Sequence, residues 1–330
     1  MNAEGPAESW EPVPRPGIIA LQALRWHQIA ATAVRFVRAN PVAVLVPALL
    51  EALLLVGGGV LAGWWLLDPG PAIADAAAAD PAAAETAAQA APVGTSPQEV
   101  LFTLALVALC FIVAPPALGV VLSTLRPAVL GRPRLTLSQA WATARPHLRA
   151  LYTVWAVVTL ISLIPTIIET AAAAPSWGTP DPAGNGDTIS TVAGILTVAA
   201  VLLLIYVSVL IAFAPAAVIV EGLTAGAALR RSFDLVHRSW WRCFAVLAAI
   251  SVLILIPTTL ITLPAIAFAA VIGIAGPLWV AIGTAAAVLT VVFGLGSSYG
   301  IGATALLYQD QRIRRENYAT DLIRDAAPEL

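Results

Sequence analysis

The sequence predicts an all-α membrane protein of about six transmembrane helices, arranged as three hairpins, each preceded by an amphipathic helix lying in the membrane interface. Three observations carry this expectation. From Cys243 to Gln309 the chain runs 67 residues without an Asp, Glu, Lys or Arg, a length that suits two apolar spans and not a soluble core. Charged residues make up 11% of the 330 residues and hydrophobic ones 59%, against about 25% charged in a soluble protein. The 17 basic residues are all arginine, and they fall only in segments 15–38, 126–149, 230–242 and 312–324, while stretches 68–99, 171–189 and 273–277 hold none. The excess of arginine in cytoplasmic loops assigns the first set to the cytoplasm and the second to the outside. An even number of spans in the cell membrane follows, with both ends cytoplasmic.

Taken in order, residues 1–17 carry Glu4, Glu8 and Glu11 against Arg15. They lack the basic-then-apolar order of a secretion signal and read as a disordered cytoplasmic tail. Between Arg25 and Arg38, Trp26, Ile29, Ala33 and Phe36 share one helical stripe, while Arg25, Gln28, Thr32 and Arg35 share another, as in a helix lying flat in the interface. Pro41 opens the first span, which reaches Leu67 with Trp64 and Trp65 in the outer aromatic belt. Segment 68–99 is an Ala, Pro and acid mixture that reads as a flexible outer loop. The second span, 100–125, contains Pro115-Pro116 near its middle. Because proline lacks the backbone donor, a kink forms there and must face protein, where the freed carbonyls find partners.

A second surface helix follows with the five arginines of 126–149, then a third span, 151–170, with Pro165 inside and Glu169 at its end. Trp177 anchors the next outer loop, and the fourth span, 190–220, carries Pro215 near its inner end and closes at Glu221-Gly222. In the third surface helix, within LTAGAALRRSFDLVHRSWWR, the apolar stripe is Leu229, Phe233, Val236 and Trp240, with Asp234 one turn from Arg230 and Arg238. The fifth and sixth spans break at 273–277. Gly294, Gly296, Gly300 and Gly302 in the sixth permit close backbone approach. The chain leaves the membrane at Tyr308 and continues as a charged cytoplasmic helix, with 311–330 as the C-terminal tail.

The surface helices echo one another. Leu135-Thr136 aligns with Leu223-Thr224, Trp141 with Leu229 and Arg149 with His237, with no gap, and Leu24 opens a third copy. The membrane domain, 18–310, thus reads as three repeats, about 18–125, 126–221 and 222–310.

Few residues suggest chemistry. Glu51 lies about ten residues into the first span, where an ionised carboxylate costs ~2.5 kcal/mol or more, so it belongs among helices. Either it is a site on an ion, proton or gating pathway, or it is a protonated group hydrogen-bonded to a Ser or Thr. His27, His147 and His237 sit in the surface helices without metal-ligand spacing, and Cys110 and Cys243 suggest buried small residues, so no metal and no cofactor is expected. No phosphate-binding loop or nucleophile elbow is present; GLGSSYG at 294–300 reads as helix packing. Arginines interleaved with Trp, Phe and Leu beside a span point to membrane lipid, and not to nucleic acid. The candidate contacts to anionic lipid are Arg230, Arg231, Arg238, Trp240, Trp241 and Arg242; the alternative for these arginines is pairing with Asp234, Glu221 or the C-terminal acids.

The patterns ALRRSFDLVHRSWWR before an apolar hairpin and LLYQDQRIRREN after the last span, together with the opening RPGIIALQAL, resemble the family named for the membrane domain of glycerophosphoryl diester phosphodiesterases, in stand-alone form. The resemblance covers nearly the whole chain and implies a helical domain of roughly six spans. The phosphodiesterase barrel, about 250 residues with its metal-binding Glu, Asp and His, has no room here, so the resemblance implies no such activity. The expected function is that of a non-enzymatic membrane protein working through lipid or protein contacts, with a membrane protein partner in an assembly. The alternative is a transporter or channel-like subunit with a pathway near Glu51. An enzyme acting on lipid substrates ranks third.

Overall fold

The computed structural model describes residues 17–18, 24–66, 97–173, 186–275, 278–316, 318 and 324. The described chain is helical with no strand, and six of its helices are long and apolar enough to cross a membrane. The helices are α1 (Trp26–Ala39), α2 (Pro41–Leu66), α3 (Pro97–Ser123), α4 (Leu125–Val129), α5 (Leu137–Ala144), α6 (Leu148–Ala173), α7 (Gly186–Ile211), α8 (Ala214–Glu221), α9 (Ala225–Val236), α10 (Trp240–Ala275) and α11 (Leu278–Glu316). Single 3-10 turns join α5 to α6 at Arg145–His147 and α9 to α10 at His237–Ser239. Residues 1–16, most of the two outer loops, and the side chains of Trp64, Trp65 and Trp177 lie outside the described residues, and with them the expected tail and aromatic belt.

The three hairpins are α2/α3, α6/α7 and α10/α11. Their helices follow one another around a ring in the order α10, α11, α2, α3, α6, α7, and α7 returns to α10. Glycines on α11 permit a close seam with α2 and α1. A Cβ at Gly294 would lie 2.7 Å from a Leu49 methyl and 3.2 Å from the Ala48 carbonyl oxygen of α2, and one at Gly302 would lie 2.6 Å from the Phe36 ring of α1. Gly296 and Gly300 turn instead to Ile254 of α10. The helix therefore carries small residues on two sides because it is packed on two sides, where dispersion and not hydrophobic expulsion holds apolar helices together in lipid.

The three surface helices begin alike. Their N-cap residues Arg25, Thr136 and Thr224 share an extended backbone, with ψ of 159° in each, and each follows a leucine, Leu24, Leu135 or Leu223. In the first two, Gln28 and Gln139 accept from the backbone N–H of the cap, at 2.7 and 2.9 Å. The ungapped alignment holds at these caps and fails beyond them. The 3-10 turn starts at Arg145 in one copy and at His237 in the next, so α9 is one turn longer than α5, and Arg149 lies in the first turn of α6 instead of matching His237. The buried faces also differ from the expected stripes. In α9 they are Ala228, Ser232, Leu235 and Val236, while Phe233 is exposed; in α1 Thr32 joins Ile29, Ala33 and Phe36, and Trp26 is exposed. Beside a bilayer, small residues take the protein-facing side and large apolar ones are free to face lipid. Asp234 makes no ion pair with Arg230 or Arg238; its backbone carbonyl accepts from Arg315.

Prolines inside the second, third and fifth spans do not interrupt their helices. α3 remains helical through Pro115 and Pro116, and the Ile112 carbonyl that Pro116 deprives of a donor accepts from the Tyr152 hydroxyl of α6 at 2.9 Å. This is the protein partner that the sequence required for the carbonyl freed there, in a helix that is neither broken nor restarted. Replacing Tyr152 by phenylalanine leaves the carbonyl without a donor in an apolar setting. The expected cost is about 1 kcal/mol, read as a lower Tm in detergent with no change in helix content.

The fourth span departs from expectation. It is not one helix: α7 stops at Ile211, and α8 restarts with Pro215 in its first turn, where the missing donor is no loss. Gly222 then ends α8 with φ +68°, a left-handed conformation that glycine adopts without strain. At the other end of the chain, α11 runs on to Glu316 with Asp310, Gln311 and Ile313 buried, so residues 311–316 belong to the packed domain and are not tail.

Candidate intramembrane site

The ring surrounds a partly open cavity of about 550 Å³, within the range that accommodates small-molecule ligands. α2 contributes Glu51, α6 contributes Trp155, and the segment at and after the α7–α8 break contributes Ala212, Pro215 and Ala216. The first turn of the short helix after the break thus contributes Pro215 and Ala216 to the cavity wall. The remaining polar wall is Thr258 and Thr262 of α10 and Ser297 and Thr304 of α11. The Thr262 hydroxyl donates to the Thr258 carbonyl and the Ser297 hydroxyl to the Gly294 carbonyl, so both protons are committed to their own helices.

Glu51 is 8% exposed and is the one ionisable residue on the cavity wall. It has no hydrogen bond or ion pair with any described residue, so the Ser or Thr partner of the second of its two readings is not among them. It also borders a second space, a groove of about 420 Å³ formed by α2, α3 and α5, with Pro47, Leu50, Ile112, Pro116 and Trp141 among its walls. Leu50, Leu54 and Ile112 are exposed on the outer side of the ring. Glu51 therefore stands where a lipid-facing groove meets the central cavity.

The arginine-rich end is held by two polar clusters. The fully buried Asp310 carboxylate accepts from the Leu24 backbone N–H at 2.7 Å, from Arg242 at 2.6 Å and from Arg314 at 3.0 Å. Both arginines also donate to the Leu24 carbonyl, so the leucine that opens the first surface helix is pinned between the start of α10 and the end of α11. In the second cluster Arg231 bridges Glu221, at 3.2 Å, and Glu316. The Tyr308 hydroxyl donates to Glu221, and Arg312 pairs with Glu316 at 3.2 Å and lies 3.6 Å over the Tyr318 ring.

These clusters divide the six residues expected to meet anionic lipid. Arg231 and Arg242 are engaged by carboxylates of the protein itself, as the alternative reading of the arginines had it. The Trp240 indole N–H donates to the Tyr206 carbonyl, and its ring stacks on Phe244 at 5.0 Å. Arg230 and Arg238 are exposed, and Trp241 is 76% exposed, so these three remain open to lipid. His147 and His237 bond through Nδ1 to carbonyls one turn back, Thr143 and Phe233, and among the described residues no three His, Cys, Asp or Glu converge. Sequence reasoning missed Asp310, although the polar run Gln309-Asp310-Gln311 directly after an apolar span is a signal that the helix end is enclosed. It also missed the cavity hydroxyls, which nothing in the sequence distinguishes from other span Ser and Thr.

Fold and cavity together define a multi-pass helical membrane protein with an acidic intramembrane cavity. The chain belongs to the family described as a domain of unknown function (DUF7847), whose profile matches residues 24–308. That match begins at the leucine pinned by Asp310 and covers every span. No curated protein and no solved structure matches the chain.

Proposed function

We propose that this is a non-enzymatic protein of the plasma membrane that works by holding a lipid-like molecule among its helices, with its arginine-rich end in the cytoplasm. The observation that carries the reading is the cavity of about 550 Å³ bordered by unpartnered Glu51, a residue that also borders a groove facing lipid. A single carboxylate among apolar walls suits one end of an amphiphile better than a hydrated ion, which needs several oxygen ligands. Exposed Arg230, Arg238 and Trp241 add a surface contact to anionic headgroups, each arginine worth about 1 kcal/mol near such a surface. The likeness to the phosphodiesterase membrane domain belongs to the same proposal, as a lipid-associated setting without the hydrolytic activity.

The test is lipid retention. Thr304→Phe combined with Leu289→Phe fills the cavity with apolar bulk, and the purified variant is expected to keep less lipid than the wild type after exhaustive detergent washing, at similar Tm. Equal retention in both proteins would overturn the reading. A second reading, passage of a solute, is favoured by the position of Glu51 at the junction of two spaces. It predicts flux in proteoliposomes that Glu51→Gln abolishes.

A further inference from the structure

The chemistry around Glu51 narrows the class of ligand. Both spaces that meet at this residue are lined without arginine or histidine, so nothing there neutralises a phosphate, and the carboxylate would repel one. Glu51 is the only charged group on either wall and, when ionised, only accepts, while the hydroxyl protons of Thr262 and Ser297 are already committed to backbone carbonyls. An acceptor-only carboxylate calls for a donor, and an ammonium group is donor-only and of opposite charge. Trp155 lines the same cavity, and an indole is the aromatic side chain that attracts cations best. A buried carboxylate lacking any counter-charge in the protein is costly to ionise, and a ligand cation removes that cost.

The apolar part of the ligand has its own place. The groove between α2 and α3 is bordered by Val46, Leu50, Leu54 and Ile112, all exposed to the bilayer side of the ring. A chain can lie there while its head reaches Glu51, without crossing a polar surface. The groove ends against Leu137 and Trp141 of α5.

From these observations, and resting on the lipid-holding reading above, we propose that the site takes a single-chain amphiphile bearing one ammonium group, with the nitrogen at Glu51 and the chain in the groove. Phospholipids are thereby disfavoured as occupants of this site, since their phosphate would meet the same carboxylate.

The experiment uses the full chain in nanodiscs of uncharged lipid and compares two spin-labelled probes of equal length, a dodecylammonium and a dodecanol. Wild-type protein is expected to bind the ammonium probe saturably, and Glu51→Gln to bind it roughly tenfold more weakly, the loss expected for one charge-assisted contact. Glu51→Asp, which keeps the charge, is expected to restore part of the affinity; Tm values near wild type establish that both variants fold. Equal binding of the ammonium probe by wild type and Glu51→Gln overturns the proposal. Saturable binding of both probes with equal affinity overturns the cationic assignment while leaving the lipid-holding reading in place, and no saturable binding of either overturns both.

Discussion

Replacing Asp310 by alanine is expected to destabilise the protein by about 3 kcal/mol, the lower part of the range for breaking a buried ion pair. The carboxylate is fully buried, but side chains of Arg242 and Arg314 are 32% and 35% exposed, and water screens part of what they lose. Three donors lose their acceptor at once: the two guanidinium groups and the Leu24 N–H. Asp310→Asn keeps an acceptor for Leu24 and removes only the charge, so its cost is smaller, about 1–2 kcal/mol. The readout is Tm in detergent, together with hydrogen exchange at the start of α1. Because Asp310 is the group that pins Leu24, faster exchange is expected there before it is seen in α6 or α7. A Tm for Asp310→Ala within a degree of wild type would show that the arginines find other acceptors and that this cluster is not what fixes the first repeat.

Ser232→Ala is expected to cost about 2–3 kcal/mol although it removes one oxygen atom. Ser232 is fully buried on α9 and spans the break between α7 and α8: its hydroxyl donates to the Leu210 carbonyl at 2.6 Å and accepts from the Phe213 N–H at 3.1 Å. Alanine leaves a backbone donor and a carbonyl short of partners in the interior, each a penalty of about 1–3 kcal/mol. Ser232→Thr keeps the hydroxyl and is expected to retain more of the stability than alanine does. The local signature is faster exchange at amides of α8, whose Pro215 and Ala216 face the cavity. If exchange in α8 is unchanged while Tm falls, the loss is one of packing and the hydroxyl is not the staple.

The cavity and its break illustrate why parts of this site were hidden. A long apolar run fixes that a segment crosses the membrane, because no other structure satisfies its backbone in lipid. It says little about rotation, since Phe233 and Val236 are equally apolar, yet one is exposed and the other is buried. For the same reason the run 190–220 reads as one span, although the chain stops and restarts between Ile211 and Ala214 with the help of a serine 19 residues away from Phe213. Glu51 stood out because a lone carboxylate in an apolar span has few places to go. Which space it enters, and that no Ser or Thr meets it, depends on helices from all three hairpins.

By itself the sequence determined the helical class, the number of spans, the need for a protein partner at Pro115-Pro116, the end at Glu221-Gly222, and the shared starts of the three surface helices. These follow from rules that act along the chain: backbone satisfaction in an apolar solvent, the missing donor of proline, the conformational freedom of glycine, and the segregation of arginine. Tertiary structure alone decided that Arg231 and Arg242 face carboxylates and not lipid, that Asp310 fastens the first repeat to the last, and that a cavity opens beside Glu51. Arg231 meets Glu316 across 85 residues, Arg242 meets Asp310 across 68 and Arg314 meets Leu24 across 290, and pairing over such separations is set by how helices pack, which apolar composition leaves undetermined.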